Sequence, residues 1–254
     1  MKKTIKRILY SLLLIAVIIG IYLWLNVPLI GDEISKQTIY VSFIDAWYGS
    51  SQDAKAHAMW IDDDSSLGVF KVKKIADEIG IQPNFAVIAD RMEDKVADSL
   101  AAWQRQGAGI VLHGLRHERW NDWSESQIRI DIRQSVVRLH ERGFDTTKIV
   151  KLIIPPHGCN TRTIRKVISE EGYQMISGAS LINPDRQVFQ LGRIAITPQT
   201  DTVAMRNTLQ KAYNRNAFVI FSTHSSISSW FSEEKTRQII SIAKEIGFDF
   251  KFCD

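Results

Sequence analysis

An α/β fold built on a parallel sheet is predicted for most of this chain, on three observations. Short apolar runs alternate with amphipathic segments of helical period from about Ala58 onward. Glycines such as Gly80 and Gly143 stand where helices of that length should end. Chemically distinctive residues follow directly after the apolar runs, as expected at the carboxyl ends of parallel strands. About seven or eight strands in roughly 200 residues suit a barrel or a doubly wound sheet, and periodicity does not separate the two.

In chain order, a strand at Ala58–Ile61 leads into a helix at about Leu67–Ile79, apolar at Leu67, Phe70, Ile75 and Ile79. A strand at Asn84–Ala89 and a helix at about Glu93–Gln106 follow, and Gly107 and Gly109 introduce the strand Ile110–Leu112. Ser124 and Gln127 fit a capping box for a helix running to about Arg142. Next come a strand at Ile149–Ile154 stopped by Pro155-Pro156, a helix at Thr161–Glu171 and a short strand at Tyr173–Ile176. Val188–Ile196 reads as one strand region, Val203–Tyr213 as a helix and Ala217–Ser222 as a strand. A helix at about Ser232–Ile246 and a strand at Phe248–Phe252 complete the series.

The amino-terminal segment is of another kind. Lys2, Lys3, Lys6 and Arg7 precede Ile8–Ile30, which holds no charged residue and is long enough to cross a bilayer. Its bulk persists to Tyr22, Trp24 and Leu25, unlike the small-residue end of a cleaved signal. Residues 1–31 are therefore expected to be a cytoplasmic basic flank and transmembrane anchor. Residues 32–57 are expected to form a linker or packing arm, and 58–254 an extracytoplasmic folded domain. Secretion after signal cleavage is the alternative. The net charge of +4 is no nucleic-acid signal: without the four basic residues before the anchor, 28 basic face 28 acidic residues. The oligomeric state is not legible. Cys159 and Cys253 are the only cysteines, either a disulfide or two thiols.

Four of the six histidines lie just past strand runs: His113, His117, His157 and His224. The triplet Asp62-Asp63-Asp64 occupies the equivalent place after Ala58–Ile61. Adjacent carboxylates repel and call for a cation. His113 and His117 present their imidazoles to one side if their segment is a helical turn. Two histidines with one carboxylate make a three-ligand divalent site that leaves a position for water. Zinc is the default metal, and nickel, cobalt or manganese suit similar ligands.

With these residues in view, the chain resembles the polysaccharide deacetylases related to the rhizobial chitooligosaccharide deacetylase, carbohydrate esterases with a distorted (β/α) barrel of about seven parallel strands. Trp60-Ile61-Asp62-Asp63-Asp64 is similar to their Thr-Phe-Asp-Asp-Gly motif, and His113 and His117 to their His-x-x-x-His. Leu152–Gly158 partly matches Arg-x-Pro-Tyr/Phe-Gly, and Ser222-Thr223-His224 stands in the place of Leu-x-His, with the histidine kept. The resemblance implies Asp62 as general base, Asp63 as metal ligand with His113 and His117, and His224 as general acid. It also implies a glycan substrate, with an acetyl group removed from an amino sugar. Pro156, His157, Trp120, Trp230, Arg193 and Asp64 are candidate substrate contacts. The motif's glycine is replaced by Asp64, and its base-orienting arginine by Ile153 or Ile154; Arg116 and Arg193 are the basic residues within possible reach. A glycan-binding protein without turnover, and a metal amidase on a non-glycan substrate, are the rival readings.

Overall fold

The computed structural model describes residues 55–250, apart from 64, 179–181, 185 and 188. The predicted anchor at Ile8–Ile30 lies outside them, as do Asp64 and Cys253. Among the described residues no helix is long and apolar enough to cross a membrane.

Strands and helices alternate as β1 (His57–Asp62), α1 (Val69–Ile79), β2 (Asn84–Val87), α2 (Asp94–Arg105), β3 (Gly109–Leu112) and α3 (Glu125–Glu141). Then come β4 (Ile149–Ile153), α4 (Arg162–Glu170), β5 (Gln174–Ile176), β6 (Gln190–Leu191) and β7 (Ile194–Ala195). The series ends with α5 (Thr202–Tyr213), β8 (Phe218–Thr223) and α6 (Glu233–Ile246). Boundaries follow the local chemistry. Gly80 and Gly247 end α1 and α6 in left-handed conformation, which a residue without Cβ adopts freely. Ser124 and Gln127 form the predicted capping box at the start of α3.

All eight strands are parallel, in the order β6-β5-β4-β3-β2-β1-β8-β7. The two edge strands, β6 and β7, are consecutive in the chain and joined by only Gly192-Arg193. Three residue steps carry the chain at most about 11 Å, so the sheet must curl until its edges nearly meet. The single strand predicted at Val188–Ile196 is thus one run broken in two, its first half paired with β5 and its second with β8. Seven strand segments close a distorted barrel, with Gly192-Arg193 as its seam.

Asn183 fastens that seam. Its amide oxygen accepts from Gly192 N–H at 2.7 Å and its amide nitrogen donates to Gly192 C=O at 3.0 Å. Its own backbone bridges Phe218 at the start of β8 in both directions, at 3.0 and 2.9 Å. The strand predicted at Phe248–Phe252 reduces, in its described part, to a single bridge between Asp249 and His57.

Two apolar layers follow from strand alternation. Met59, Ile61, Ala86, Val111, Leu152, Ile154, Ile176, Leu191, Phe218 and Ile220 form a cluster of strand residues and their immediate extensions, without helix partners, so they fill the barrel. Trp60, Phe85, Ile110, Leu112 and Phe221 face outward and pack with buried residues of the helices. This parity decides which residue of each strand end reaches the mouth of the barrel.

Candidate metal and acid–base site

Two residues beyond the inward Ile61, Val111, Leu191 and Ser222 stand Asp63, His113, Arg193 and His224. Strand parity turns these four toward one point above the barrel. The distances agree: His113 Nε2 lies 3.9 Å from Asp63 Oδ1, and His224 Nε2 lies 3.3 Å from Asp63 Oδ2. Arg193 donates to Asp63 Oδ2 in a short contact. His117 stacks edge-on to His113 at 4.6 Å between ring centres, and His157 lies 4.3 Å beyond it.

Electrostatics set the protonation states. Burial by itself raises the Asp63 carboxyl, but Arg193, His113 and His224 outweigh it and hold the group well below the usual carboxylate range. Burial pushes the His113 imidazole down, and it pushes His117 down to about 4, helped by His113, His157 and Arg91. Both are neutral near pH 7. His113 Nδ1 sits 2.7 Å from the Ile154 carbonyl, which only accepts, so this nitrogen carries the hydrogen. Nε2 then presents a lone pair toward Asp63 Oδ1, a buried oxygen without a hydrogen-bond partner. Two unshared lone pairs face one another, an arrangement that a cation or a water held by one would satisfy. The donor chemistry therefore fits a divalent metal. Among the described residues no three His, Cys, Asp or Glu groups form a closed metal-binding set; His113 and His117 offer two donors.

The His113–His117 segment is not the helical turn that their spacing suggested. Gly114 and His117 take positive φ, 81° and 58°, and Asp131 accepts from Leu115 N–H at 3.0 Å. A loop pinned at its centre thus brings the two rings together. His157 is also left-handed (φ 55°), and its Nε2 donates to the His117 carbonyl at 3.0 Å. Both are non-glycine residues held in a conformation costing of order 1 kcal/mol each, where strain accumulates at functional sites.

Three sequence expectations need correction. Asp62 shares the outward face of Trp60 and is fully buried, away from the histidines. Its Oδ1 accepts from Thr223 Oγ1 at 2.7 Å and Ser225 N at 3.1 Å, and its Oδ2 from Ser225 Oγ at 2.5 Å. A carboxylate so placed takes no proton from a water in the cleft. Trp120 is fully buried against Trp123 and the helices, so it packs the core and offers no face to a sugar. Pro156 is buried against Gly114, where it wedges the His113 loop. By contrast Trp230 is 54% exposed, its ring edge-on to His224 at 5.3 Å. Asn183 and Ser225 were missed; single polar residues in a loop carry no pattern that marks them.

The lowered imidazoles make a pH prediction. A base whose folded pKa lies below its unfolded value leaves the unfolded chain binding more protons, so stability falls as pH drops through that window. For His117 the window runs from 6.5 to about 4. Asp131 opposes it, since burial pushes its carboxyl up to about 6 and this favours the acidic side. In metal-free protein, Tm should fall less between pH 6.5 and 4 for His117→Gln than for wild type, and more for Asp131→Asn. Identical slopes in all three proteins would contradict both assignments.

A family model, Polysaccharide deacetylase, matches residues 49–176 of this chain. The chain belongs to that family. Among curated protein sequences none matches it. Solved structures share the fold at low identity. The chitin deacetylase of the fungal pathogen Colletotrichum lindemuthianum is 15% identical with a TM-score of 0.59, over 80% of this chain and 87% of the other. A peptidoglycan N-acetylglucosamine deacetylase is 15% identical with a TM-score of 0.58, over 80% and 88%. The family 4 acetyl xylan esterase of Clostridium thermocellum, solved with a cobalt ion, is 18% identical with a TM-score of 0.56, over 76% and 86%. All three align over 86–88% of their own length.

Proposed function

We propose that this family member is a metal-dependent deacetylase that hydrolyses the acetamido group of an amino-sugar glycan at the cell envelope. The observation that carries the reading is Asp63, with one oxygen held by Arg193 and the other unpartnered and facing the neutral His113. With Asp62 turned outward, the family's pair of carboxylates slides one place along the chain. Asp63 then takes the base role, Asp64 the ligand role and Ser65 the place of the motif's glycine. The slide also accounts for the arginine absent from the third motif, because Arg193 reaches the base from the barrel seam instead.

His113 and His117, with Asp64, would hold the metal. A divalent ion such as zinc held by these residues would supply polarisation of the acetyl carbonyl and a lowered pKa for water. Asp63 Oδ1 takes the proton of the attacking water while Arg193 keeps the carboxylate oriented and ionised. His224 protonates the departing nitrogen as the C–N bond breaks, giving acetate and a free amine. Trp230, exposed beside His224, offers an aromatic face for a sugar ring. The apolar segment Ile8–Ile30 after a basic flank supports an anchored protein whose barrel lies outside the cytoplasm.

Acetate release from N-acetylglucosamine oligomers, measured with metal, after chelation and after metal is restored, tests the reading; acetylxylan in parallel separates amide from ester substrates. His113→Ala should remove bound metal together with activity. Metal-loaded protein that binds the oligomers and releases no acetate would replace the enzyme by a glycan-binding protein.

A further inference from the structure

Asp62 lies outside the cleft, yet its hydrogen bonds bracket a residue inside it. Thr223 and Ser225 are the chain neighbours of His224, and both donate to the Asp62 carboxylate. Alternation sends 223 and 225 outward and 224 inward. Fixing both neighbours therefore fixes the Cα and the direction of His224. Two more contacts tighten the clasp. Trp60 Nε1 donates to Thr223 Oγ1 at 3.0 Å. Gly68, just before α1, presses on Ser225 from the other side: a Cβ there would meet Ser225 Oγ at 2.2 Å and its carbonyl carbon at 2.6 Å. The buried charge is balanced by three donors in a dry setting, where such bonds are strong and hard to rearrange.

We propose that Asp62 is the positioning residue of His224, a buckle that joins the end of β1 to the loop after β8. It rests on the reading of His224 as the proton donor of a deacetylase. The geometry separates two substitutions that a base would not. Asparagine keeps an oxygen for Thr223 and the Ser225 amide, and the Ser225 hydroxyl can turn to accept from the new N–H. Alanine keeps nothing. Asp62→Asn should stay within about tenfold of wild-type kcat, whereas Asp62→Ala should fall about a hundredfold, the scale of an ångström-sized misplacement.

The test uses the full-length chain in detergent with labelled histidine. The ring resonances of His224, identified by their loss in His224→Gln, are recorded at one pH alongside acetate release. The signals should keep their positions in Asp62→Asn and move in Asp62→Ala. They should also move in Gly68→Ala, which displaces Ser225 while leaving the carboxylate intact. Should Asp62→Ala fail to fold, Ser225→Ala removes one donor and is expected to shift the same signals by less. Equal loss of turnover in the asparagine and alanine variants would overturn the proposal, as would unmoved His224 signals in Gly68→Ala and Ser225→Ala. A wild-type protein that releases no acetate would defeat the deacetylase reading alone, since the His224 signals report on the buckle without turnover.

Discussion

Asp63→Asn is expected to keep its metal and lose about a thousandfold in kcat, within the range for removing a general base. The amide still hydrogen-bonds Arg193 but takes no proton from water. Asp64→Asn should do the reverse of the first half: metal content falls because two histidines are left to hold the ion, and turnover falls with it. Asp62→Asn should do neither to a comparable degree. Metal analysis and acetate release on the three purified variants decide among them. Loss of metal from Asp63→Asn with retention in Asp64→Asn would show that Asp63 is itself the ligand and that the motif has not slid. The prediction follows from the contacts: Asp62 is enclosed by Thr223 and Ser225, whereas Asp63 faces Arg193, His113 and His224.

Asn183→Leu is expected to lower stability by about 4 kcal/mol. It strands the buried Gly192 N–H and C=O, at roughly 1–3 kcal/mol for each unsatisfied group. For a domain of this size that is a fall in Tm of roughly 10 °C. Leucine matches asparagine in reach, so the loss comes from polar groups and not from a cavity. Because Arg193 follows Gly192 directly, the variant should also lose activity beyond what its folded fraction explains. Thermal unfolding and kcat measured well below Tm check the two parts. A Tm within 2 °C of wild type, on the same scale of roughly 2–4 °C per kcal/mol, would mean that the seam does not depend on this side chain.

Most elements were legible because they are local. The helix α3 begins at its capping box, and α1 ends at Gly80, where φ of 72° suits glycine. The run Val188–Ile196 was legible as extended chain, but its division between two partner strands was not. That division depends on barrel closure, a property of the whole sheet. The aromatic candidates show the same limit: Trp120 and Trp230 both follow site histidines in sequence, and one is buried while the other is exposed. Sequence distance from a histidine does not fix depth.

By itself the sequence determined that strands and helices alternate, that His113, His117 and His224 fall at strand ends beside an acidic triplet, and that these motifs resemble those of polysaccharide deacetylases. Those properties reside in residue type and spacing, which a linear chain carries openly. Only the tertiary structure decided which aspartate enters the cleft, which arginine meets it and what holds the seam. Each of these depends on the direction in which a side chain leaves the backbone and on partners outside its own element, from nine positions away for Asn183 and Gly192 to 130 for Asp63 and Arg193. Closing a parallel sheet into a barrel brings such residues together, and no local spacing records that closure.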